Sequence, residues 1–335
     1  MQNNDTKGLE RAGDFWTNGW TFKPGDLPDP SLIPSSGPYK ISKWESGNSL
    51  TLKANPQWYG DAPKADTVVI RFISDTAQPQ ALENGEIQAM DPQPNPDLQK
   101  QLKALGDAIV FESADQYTFE HYDFNQANKH LAKLEVRQAL SLCINREEIV
   151  DTLVTPINPD ATVLNNHIYV AGQKGYQDNS AVVAYDPEKA KSELDALGWK
   201  LNGQFREKDG KQLVIRDVLY DAQTTRQVAL VAQNSLAQIG VKLEIDAKPG
   251  TGFFTNYVNV GDFDITQFSW VGDAFALCCL NQIYTTGAES NFGKISSPEI
   301  DAKVEQTLDE LDPAKARALA NDTDKLIWAE VFSLP

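Results

Sequence analysis

The sequence contains little cysteine and arranges it in no metal-binding or disulfide pattern. Only three of its 335 residues are cysteines, namely Cys143, Cys278 and Cys279. An odd number argues against a fold held together by disulfides, and the spacing fits no zinc site. The adjacent pair follows an apolar stretch from Phe275 to Leu277, so we predict that both side chains are buried as small apolar groups. Cysteine usage leaves the redox compartment open.

Histidine is equally scarce, and the motifs of common enzyme classes are missing. His121, His130 and His167 stand apart, without a His-Glu-x-x-His segment, so we expect no metal site and no cofactor. A Gly-x-Ser-x-Gly segment and a glycine-rich phosphate-binding loop are also absent. We therefore expect no enzyme and no catalytic residues. An acid/base hydrolase stays open as a distant alternative, because the sequence does not show which of its 47 acidic residues converge.

Long apolar runs and basic clusters are lacking as well. No stretch approaches the roughly 20 apolar residues that span a bilayer. The formal net charge is −17, and the Lys and Arg residues are scattered singly among acidic ones. Such a chain repels phosphate backbones and anionic lipids, which argues against nucleic acid as a partner.

The residues that are present predict a globular α/β protein. A chain of 335 residues with 41% hydrophobic and 23% charged residues exceeds the usual size of one core, so we expect two lobes. Residues 1–35 are rich in Pro, Gly and Asp and predict an extended connector. Alternation of apolar and polar residues from Tyr39 to Leu52, around Gly47 and Asn48, predicts a hairpin. A second β segment is predicted from Thr67 to Ile73, and a β-rich run from Ala108 to Phe124 follows after helical spacing.

Helices and strands alternate in the remainder of the chain. Helical spacing covers Leu134 to Val150, and Asp186 followed by Pro187 predicts the start of a helix that ends at Gly198. Further strands are predicted over 213–219, 241–245 and 263–270, and further helices over 224–239, 297–311 and 313–328. This order is typical of α/β folds.

One strand end combines an aromatic residue, a glycine and an acid. Trp270, Gly272 and Asp273 follow the strand predicted over 263–270. Ligands of α/β proteins often bind at the carboxyl ends of strands, where an indole wall and a carboxylate could hold a cationic group. A structural turn explains the same residues equally well.

Four segments of the chain form a recognisable series. They read Gly37-Pro38-Tyr39 with Leu50-x-Leu52-x-x-Asn55-Pro56-x-Trp58-Tyr59-Gly60, Asn84-Gly85-Glu86-Ile87, Val136-Arg137-Gln138-Ala139-Leu140 with Ile144-Asn145-Arg146-Glu147, and Leu236-x-x-Ile239-Gly240-Val241. In this order and spacing they resemble the family 5 extracellular solute-binding proteins of ABC importers, the oligopeptide and dipeptide receptors. Gln88 departs from the family's pattern, which has an acid there.

The resemblance implies a periplasmic-binding-protein-like α/β fold (type II, cluster C) whose lobes contain mixed sheets flanked by helices. It assigns residues 36–124 to part of lobe I and residues 125–335 to lobe III, after the connector of residues 1–35. We expect the fold to be incomplete, with the second lobe, part of the first and the signal segment outside this chain. The family implies a monomeric receptor that is periplasmic or is held outside the cell by a lipid anchor, and that delivers its solute to a membrane permease.

The resemblance also implies a ligand site and a hinge. In peptide receptors an Asp at the position of Asp273 pairs with the ligand's α-amino group, beside Trp270, Gly272 and Phe275. The dipeptide receptors' arginine for the ligand carboxylate is missing near Val218 to Asp221, so longer peptides fit better. Since aromatic residues also stack on sugars, an oligosaccharide or another small solute stays open as the ligand.

The hinge prediction follows from the placement of the lobe crossing. We expect closure about Tyr122, Phe124 and Asn125 to bury the solute between the lobes.

Overall fold

The computed structural model of the protein describes residues 5–19, 26–27, 29–114, 116–272 and 274–335. The chain divides into two compact units, Met1–Pro92 and Gln93–Pro335. None of the helices within the described ranges combines the length and the apolar character that crossing a membrane requires.

Among its described residues, the first unit contains two α-helices and a three-stranded antiparallel sheet. The helices are α1 (Thr6–Asn18) and α2 (Gln78–Glu83), and the strands are β1 (Tyr39–Glu45), β2 (Ser49–Ala54) and β3 (Thr67–Arg71), which neighbour one another in that order. The predicted hairpin is confirmed as β1 and β2. Gly47 has a φ of +70° in its turn, a conformation that glycine adopts without steric cost.

The helix α1 corrects the prediction of an extended connector at the start of the chain. The side chain of Asp5 caps this helix by accepting a hydrogen bond from the amide of Gly8 at 2.8 Å. Gly8 and Gly13 lie within this helix, and the prolines on which the prediction also rested begin only at Pro24. The polar cap at Asp5 is thus a better indicator of helix at this position than the Pro, Gly and Asp content of residues 1–35.

The second unit is built on a mixed five-stranded sheet. Its strands are β4 (Thr118–Phe124), β8 (Val214–Tyr220), β9 (Lys242–Lys248), β10 (Ile265–Val271) and β11 (Ser333–Leu334), in the order β11-β4-β10-β8-β9. Strand β10 is antiparallel to β4 and parallel to β8. A small antiparallel sheet consists of β5 (Lys200–Asn202), β6 (Phe205–Lys208) and β7 (Lys211–Gln212).

The second unit also contains eight described α-helices. They are α3 (Pro96–Ala104), α4 (Leu134–Cys143), α5 (Arg146–Leu153), α6 (Pro187–Ala196), α7 (Gln223–Gln238), α8 (Leu280–Tyr284), α9 (Pro298–Asp309) and α10 (Pro313–Ala329). The strands predicted over 213–219 and 241–245 and the helix predicted over 224–239 are confirmed as β8, β9 and α7, and the two strands are parallel. Asp186 caps α6 as predicted, since its side chain accepts from the amide of Lys189 at 2.9 Å.

The two faces of the sheet carry different cores. Tyr122, Phe124 and Ile265 point to the face that holds the largest apolar cluster. The opposite face carries Val218 and Phe268, which belong to an aromatic cluster. Because strand side chains alternate between faces, each central strand contributes to both cores.

Two element predictions in the second unit were wrong. The helix predicted from Leu134 to Val150 is split into α4 and α5, because the side chain of Asn145 accepts a hydrogen bond from the amide of Glu148 and caps a new helix. The β-rich run predicted from Ala108 to Phe124 contains a single strand among its described residues, β4. This strand lies in the sheet of the second unit, and the lobe boundary predicted at residue 124 stays a prediction.

Candidate functional site

A cavity of about 210 Å³ lies where β10 ends and β4 begins. Three stretches of the second unit surround it, and its lining residues are Tyr117, Phe119, His167, Ile168, Val170, Gln173, Trp270, Val271, Gly272, Ala276, Cys278, Cys279, Leu280, Gln282, Ile283 and Tyr284. The sheet supplies one wall, residues 276–284 supply a second and residues 167–173 supply a third. Segments far apart in sequence thus meet at one strand end.

The wall on the sheet depends on the antiparallel register of β4 and β10. Trp270 lies directly opposite Phe119 in this register, so the two side chains stand together on one face of the sheet. Beyond β10, the amide of Gly272 donates to the carbonyl oxygen of Tyr117 at 3.2 Å. A Cβ atom at residue 272 would lie 2.7 Å from that oxygen. Only glycine therefore allows the two backbones to approach so closely at this position.

Stacking holds the indole of Trp270 in place. Its ring lies nearly parallel to the ring of His121 at 5.7 Å and to the ring of Phe292 at 6.1 Å, measured between centroids. Phe268 meets both neighbours edge-on. Such packing fixes the orientation of a half-buried aromatic side chain before any ligand arrives.

His121 is buried beneath this stack. Its Nε2 lies 3.3 Å from Oδ1 of Asp123, although neither ring nitrogen makes a well-aligned hydrogen bond with a described residue. The imidazole therefore acts mainly as a flat packing surface for Trp270.

The third wall is attached to the core by His167. Its Nδ1 lies 2.8 Å from Oδ1 of Asp324, and its Nε2 lies 3.2 Å from the carbonyl oxygen of Ser333. Both partners are acceptors, so whichever ring nitrogen carries a proton donates to the partner that it faces. The hydroxyl of Tyr284 donates to the carbonyl of His167 at 3.2 Å, which joins the second and third walls.

The described lining carries no Asp, Glu, Lys or Arg side chain. Its polar side-chain groups are the amides of Gln173 and Gln282, the ring of His167, the indole N–H of Trp270, the hydroxyls of Tyr117 and Tyr284 and the two thiols. Gln282 donates to Glu289 at 2.8 Å, and Gln173 accepts from the amide of Val170 at 2.9 Å. The cavity is therefore apolar and uncharged over its described surface, which suits an uncharged part of a ligand.

The structure separates the predicted site residues. It brings Trp270 and Gly272 together at the cavity, whereas Phe275 is 66% exposed and is not among the lining residues. Asp273 lies outside the described residues. The role of all four in ligand binding stays a prediction.

The predicted hinge residues lie in the interior of the second unit. Tyr122, Phe124 and Asn125 are buried. The side-chain amide of Asn125 donates to the carbonyls of Gly261 and Phe263 at 3.0 and 2.8 Å. Their movement on ligand binding stays a prediction.

The prediction that both adjacent cysteines are buried was wrong. Cys278 is exposed and Cys279 is half-buried, whereas Cys143 is buried in α4. The apolar residues before the pair lie in a turn that closes with a hydrogen bond from the amide of Cys278 to the carbonyl of Phe275 at 3.1 Å. A turn at the surface exposes side chains that the same sequence would bury in a strand.

Sequence reasoning also missed Tyr117, Phe119 and the stretch of residues 167–173. Tyr117, Phe119 and His121 alternate along the chain, a pattern that predicts one aromatic face of a strand. Nothing in the sequence indicated that this face lies beside Trp270.

No group of three or more His, Cys, Asp or Glu side chains within the described ranges is placed to hold a metal ion.

Comparison with known families gives one match over most of the chain. The family described as bacterial extracellular solute-binding proteins, family 5 Middle, matches residues 20–290.

Among curated proteins, the oligopeptide-binding protein OppA of Mycobacterium tuberculosis is 51% identical to this chain over 316 residues. The match covers 94% of this chain and 53% of that protein. The chain thus spans about half the length of this relative.

Two solved structures illustrate the likeness in fold. The periplasmic EDTA-binding protein EppA superposes with a TM-score of 0.78 at 24% identity, over 90% of this chain and 58% of its own. The oligopeptide-binding protein AppA from Bacillus subtilis, in complex with a nonapeptide, superposes with a TM-score of 0.78 at 21% identity, over 90% of this chain and 60% of its own. These likenesses confirm the predicted α/β fold class.

Proposed function

Because this chain belongs to the family 5 bacterial extracellular solute-binding proteins, we propose that it is part of a receptor that captures peptides outside the cell for an ABC importer. The observation that carries the proposal is the cavity at the end of β10, where a preoriented indole faces an uncharged lining. The name of the mycobacterial relative, an oligopeptide-binding protein, supports a peptide as the solute.

The size and chemistry of the cavity suit one side chain of a peptide. A volume of about 210 Å³ is smaller than the ~300–1,000 Å³ typical of cavities that hold a whole small molecule. With an apolar lining and no charged side chain among the described residues, the cavity favours an uncharged, preferably aromatic, side chain. The remainder of the peptide would lie outside the cavity and be bound through its backbone.

Asp273 is the proposed partner of the peptide's free α-amino group. It directly follows Gly272 in the sequence, and Gly272 lines the cavity together with Trp270. A carboxylate beside an aromatic wall meets an ammonium in a charge-assisted hydrogen bond. Loss of either partner from a desolvated pair costs about 3–5 kcal/mol.

The expected mechanism is reversible binding of the solute, without a chemical reaction. The lobes close about Tyr122, Phe124 and Asn125 and bury the solute, and the closed form is what the permease recognises. We propose a monomer that is held outside the cell by a lipid anchor or is confined to the periplasm, and that makes and breaks no covalent bond in its ligand.

Arg216 on β8 is not placed to bind the ligand carboxylate as the arginine of dipeptide receptors does. The guanidinium of Arg216 pairs with Asp246 at 3.3 Å and with Asp262. Asp262 precedes β10, so Arg216 lies at the end of the sheet opposite the cavity. This arrangement favours longer peptides, whose carboxylate lies outside the site.

Thermal unfolding of the full-length gene product tests the proposal. Free-amine peptides of two to eight residues with an aromatic or a charged side chain are compared with their N-acetylated copies and with oligosaccharides. A ligand at 100 times its Kd adds about 2.7 kcal/mol of stability. Stabilisation by free-amine peptides that acetylation abolishes supports both the peptide and Asp273.

The Asp273→Asn variant and a control, Asp309→Asn, localise the effect. Asp309 is exposed at the end of α9 and does not line the cavity, so its variant should bind as the unaltered protein does. If only oligosaccharides stabilise the protein, the ligand is a sugar that stacks on Trp270 and the peptide hypothesis is wrong. If acetylated and free-amine peptides bind equally well, Asp273 does not bind the α-amino group.

A further inference from the structure

Two thiols project together from the wall of the cavity. The Sγ atoms of Cys278 and Cys279 lie 2.8 Å apart, and both residues belong to the lining. Adjacent side chains in a strand point to opposite faces, so their convergence is a property of this turn. The amide of Cys278 donates to the carbonyl of Phe275, and the carbonyl of Cys279 accepts from Gln282 and Ile283 at 3.1 Å each. The backbone is thus held on both sides of the pair.

The third cysteine lies in a different environment. Cys143 is buried in α4, and its thiol donates to the carbonyl oxygen of Ser235 at 2.8 Å. Burial raises the pKa of this thiol to about 12, so almost none of it is thiolate near neutral pH. Cys143 serves as an unreactive reference within the same chain.

We propose that Cys278 and Cys279 form a redox-modification site, at which a small-molecule disulfide converts the two neighbouring thiols into a disulfide with each other. The thiolate of the exposed Cys278 attacks one sulfur of R–S–S–R, which forms a mixed disulfide and releases the first RS⁻. The thiolate of Cys279 then attacks the sulfur of Cys278 and releases the second RS⁻. The two protons of the cysteines neutralise the released thiolates, so the pair loses two electrons and R–S–S–R becomes two RSH.

The reaction is expected to be reversible and to change the cavity. Neighbouring Cα atoms are about 3.8 Å apart, whereas disulfides usually join Cα atoms separated by roughly 4.4–6.8 Å. A bond between neighbours is therefore easily reduced again. Oxidation removes both S–H groups from the lining and ties the turn before α8, which alters one of the three walls.

Mass spectrometry after exposure to glutathione disulfide tests the site without any transport ligand. Trypsin places the pair in the peptide of residues 243–294 and Cys143 in the peptide of residues 138–146. In the unaltered protein the first peptide should lose the mass of two hydrogen atoms, and dithiothreitol should restore it. The second peptide should keep its mass.

Single serine variants separate the two steps. Cys278→Ser and Cys279→Ser lack one thiol, so they cannot form the bond, and a remaining thiol that reacts should retain glutathione as a stable mixed disulfide. Cys143→Ser should behave as the unaltered protein does. Phenylarsine oxide, which needs two neighbouring thiols, should bind the reduced protein and neither the oxidised protein nor the single variants.

The proposal is overturned if the unaltered protein retains glutathione as strongly as the single variants, forms only intermolecular dimers, or keeps both thiols. If the protein binds no peptide, these masses should still be observed. The experiment therefore tests the redox site independently of the proposed peptide binding.

Discussion

Nδ1 of His167 lies 2.8 Å from Oδ1 of Asp324, and both side chains are fully buried. The same carboxylate accepts from the backbone amide of His167 at 2.8 Å and from the side-chain amide of Asn179 at 2.7 Å. One carboxylate on α10 therefore holds two points of the loop whose residues 167–173 line the cavity.

Removing this carboxylate should destabilise the second unit strongly. In Asp324→Ala, His167 and Asn179 lose their buried acceptor, and we expect the free energy of unfolding to fall by about 3–5 kcal/mol. Asp322→Ala is the matched control on the same helix, since Asp322 is exposed and pairs only with Lys325 at 3.0 Å among the described residues. It should cost less than about 1 kcal/mol. Urea unfolding followed by circular dichroism measures both, and similar losses would contradict the role of the buried pair.

The buried carboxyl of Asp217 should make stability depend on pH. Burial raises the pKa of Asp217 to about 8, and its hydrogen bonds from Tyr122 and Gln267 at 3.4 and 3.5 Å only partly oppose this shift. The folded state therefore prefers the protonated carboxyl. Its stabilising contribution is full below the ordinary pKa of 3.8 and is lost as the pH rises to about 8.

Asp217→Asn should remove this dependence. The variant should gain stability over the unaltered protein progressively between pH 4 and pH 8, by an amount on the order of a few kcal/mol. Unfolding measured at several pH values for this variant and for the exposed control Asp309→Asn gives the difference. A difference that stays constant with pH would show that Asp217 does not titrate as described.

A methyl group at residue 272 should disturb the cavity. In Gly272→Ala, the new Cβ would lie 2.7 Å from the carbonyl oxygen of Tyr117, so the backbones at residues 117 and 272 must move apart at a cost of about 1–3 kcal/mol. In Gly13→Ala the Cβ meets nothing within 4 Å, and α1 should gain roughly 0.5–1 kcal/mol from the better helix former. Thermal unfolding and peptide titration of both variants test this contrast.

Trp270 should dominate ligand affinity if the proposed function holds. Trp270→Ala removes the stacked indole, and we expect peptide binding to weaken by about 2 kcal/mol or more. Trp270→Phe keeps an aromatic face and should lose less. Trp16→Ala is the control, because Trp16 is 79% exposed on α1. Calorimetric titration of the full-length variants with a peptide that has an aromatic side chain measures these affinities. Unchanged affinity in Trp270→Ala would show that the ligand binds elsewhere.

The sequence alone determined the family and most of the regular elements. The segments around Gly37, Asn84 and Ile239 indicated the family that the comparison confirms. Caps and turn glycines act within a few residues, so Asp186 at the start of α6 and Gly240 before β9 could be recognised locally. The same kind of signal was overlooked at Asp5 and Asn145, where short polar caps start α1 and α5.

Tertiary structure alone decided which side chains meet at the cavity. Phe119 and Trp270 are 151 residues apart, and His167 and Asp324 are 157 apart, so no local pattern links them. Cys278 and Cys279 were misjudged because they lie in a surface turn, which the apolar residues before them did not indicate. Sequence signals report short-range hydrogen bonds and the periodicity of apolar residues, whereas a binding site depends on long-range strand register, which arises when the sheet assembles.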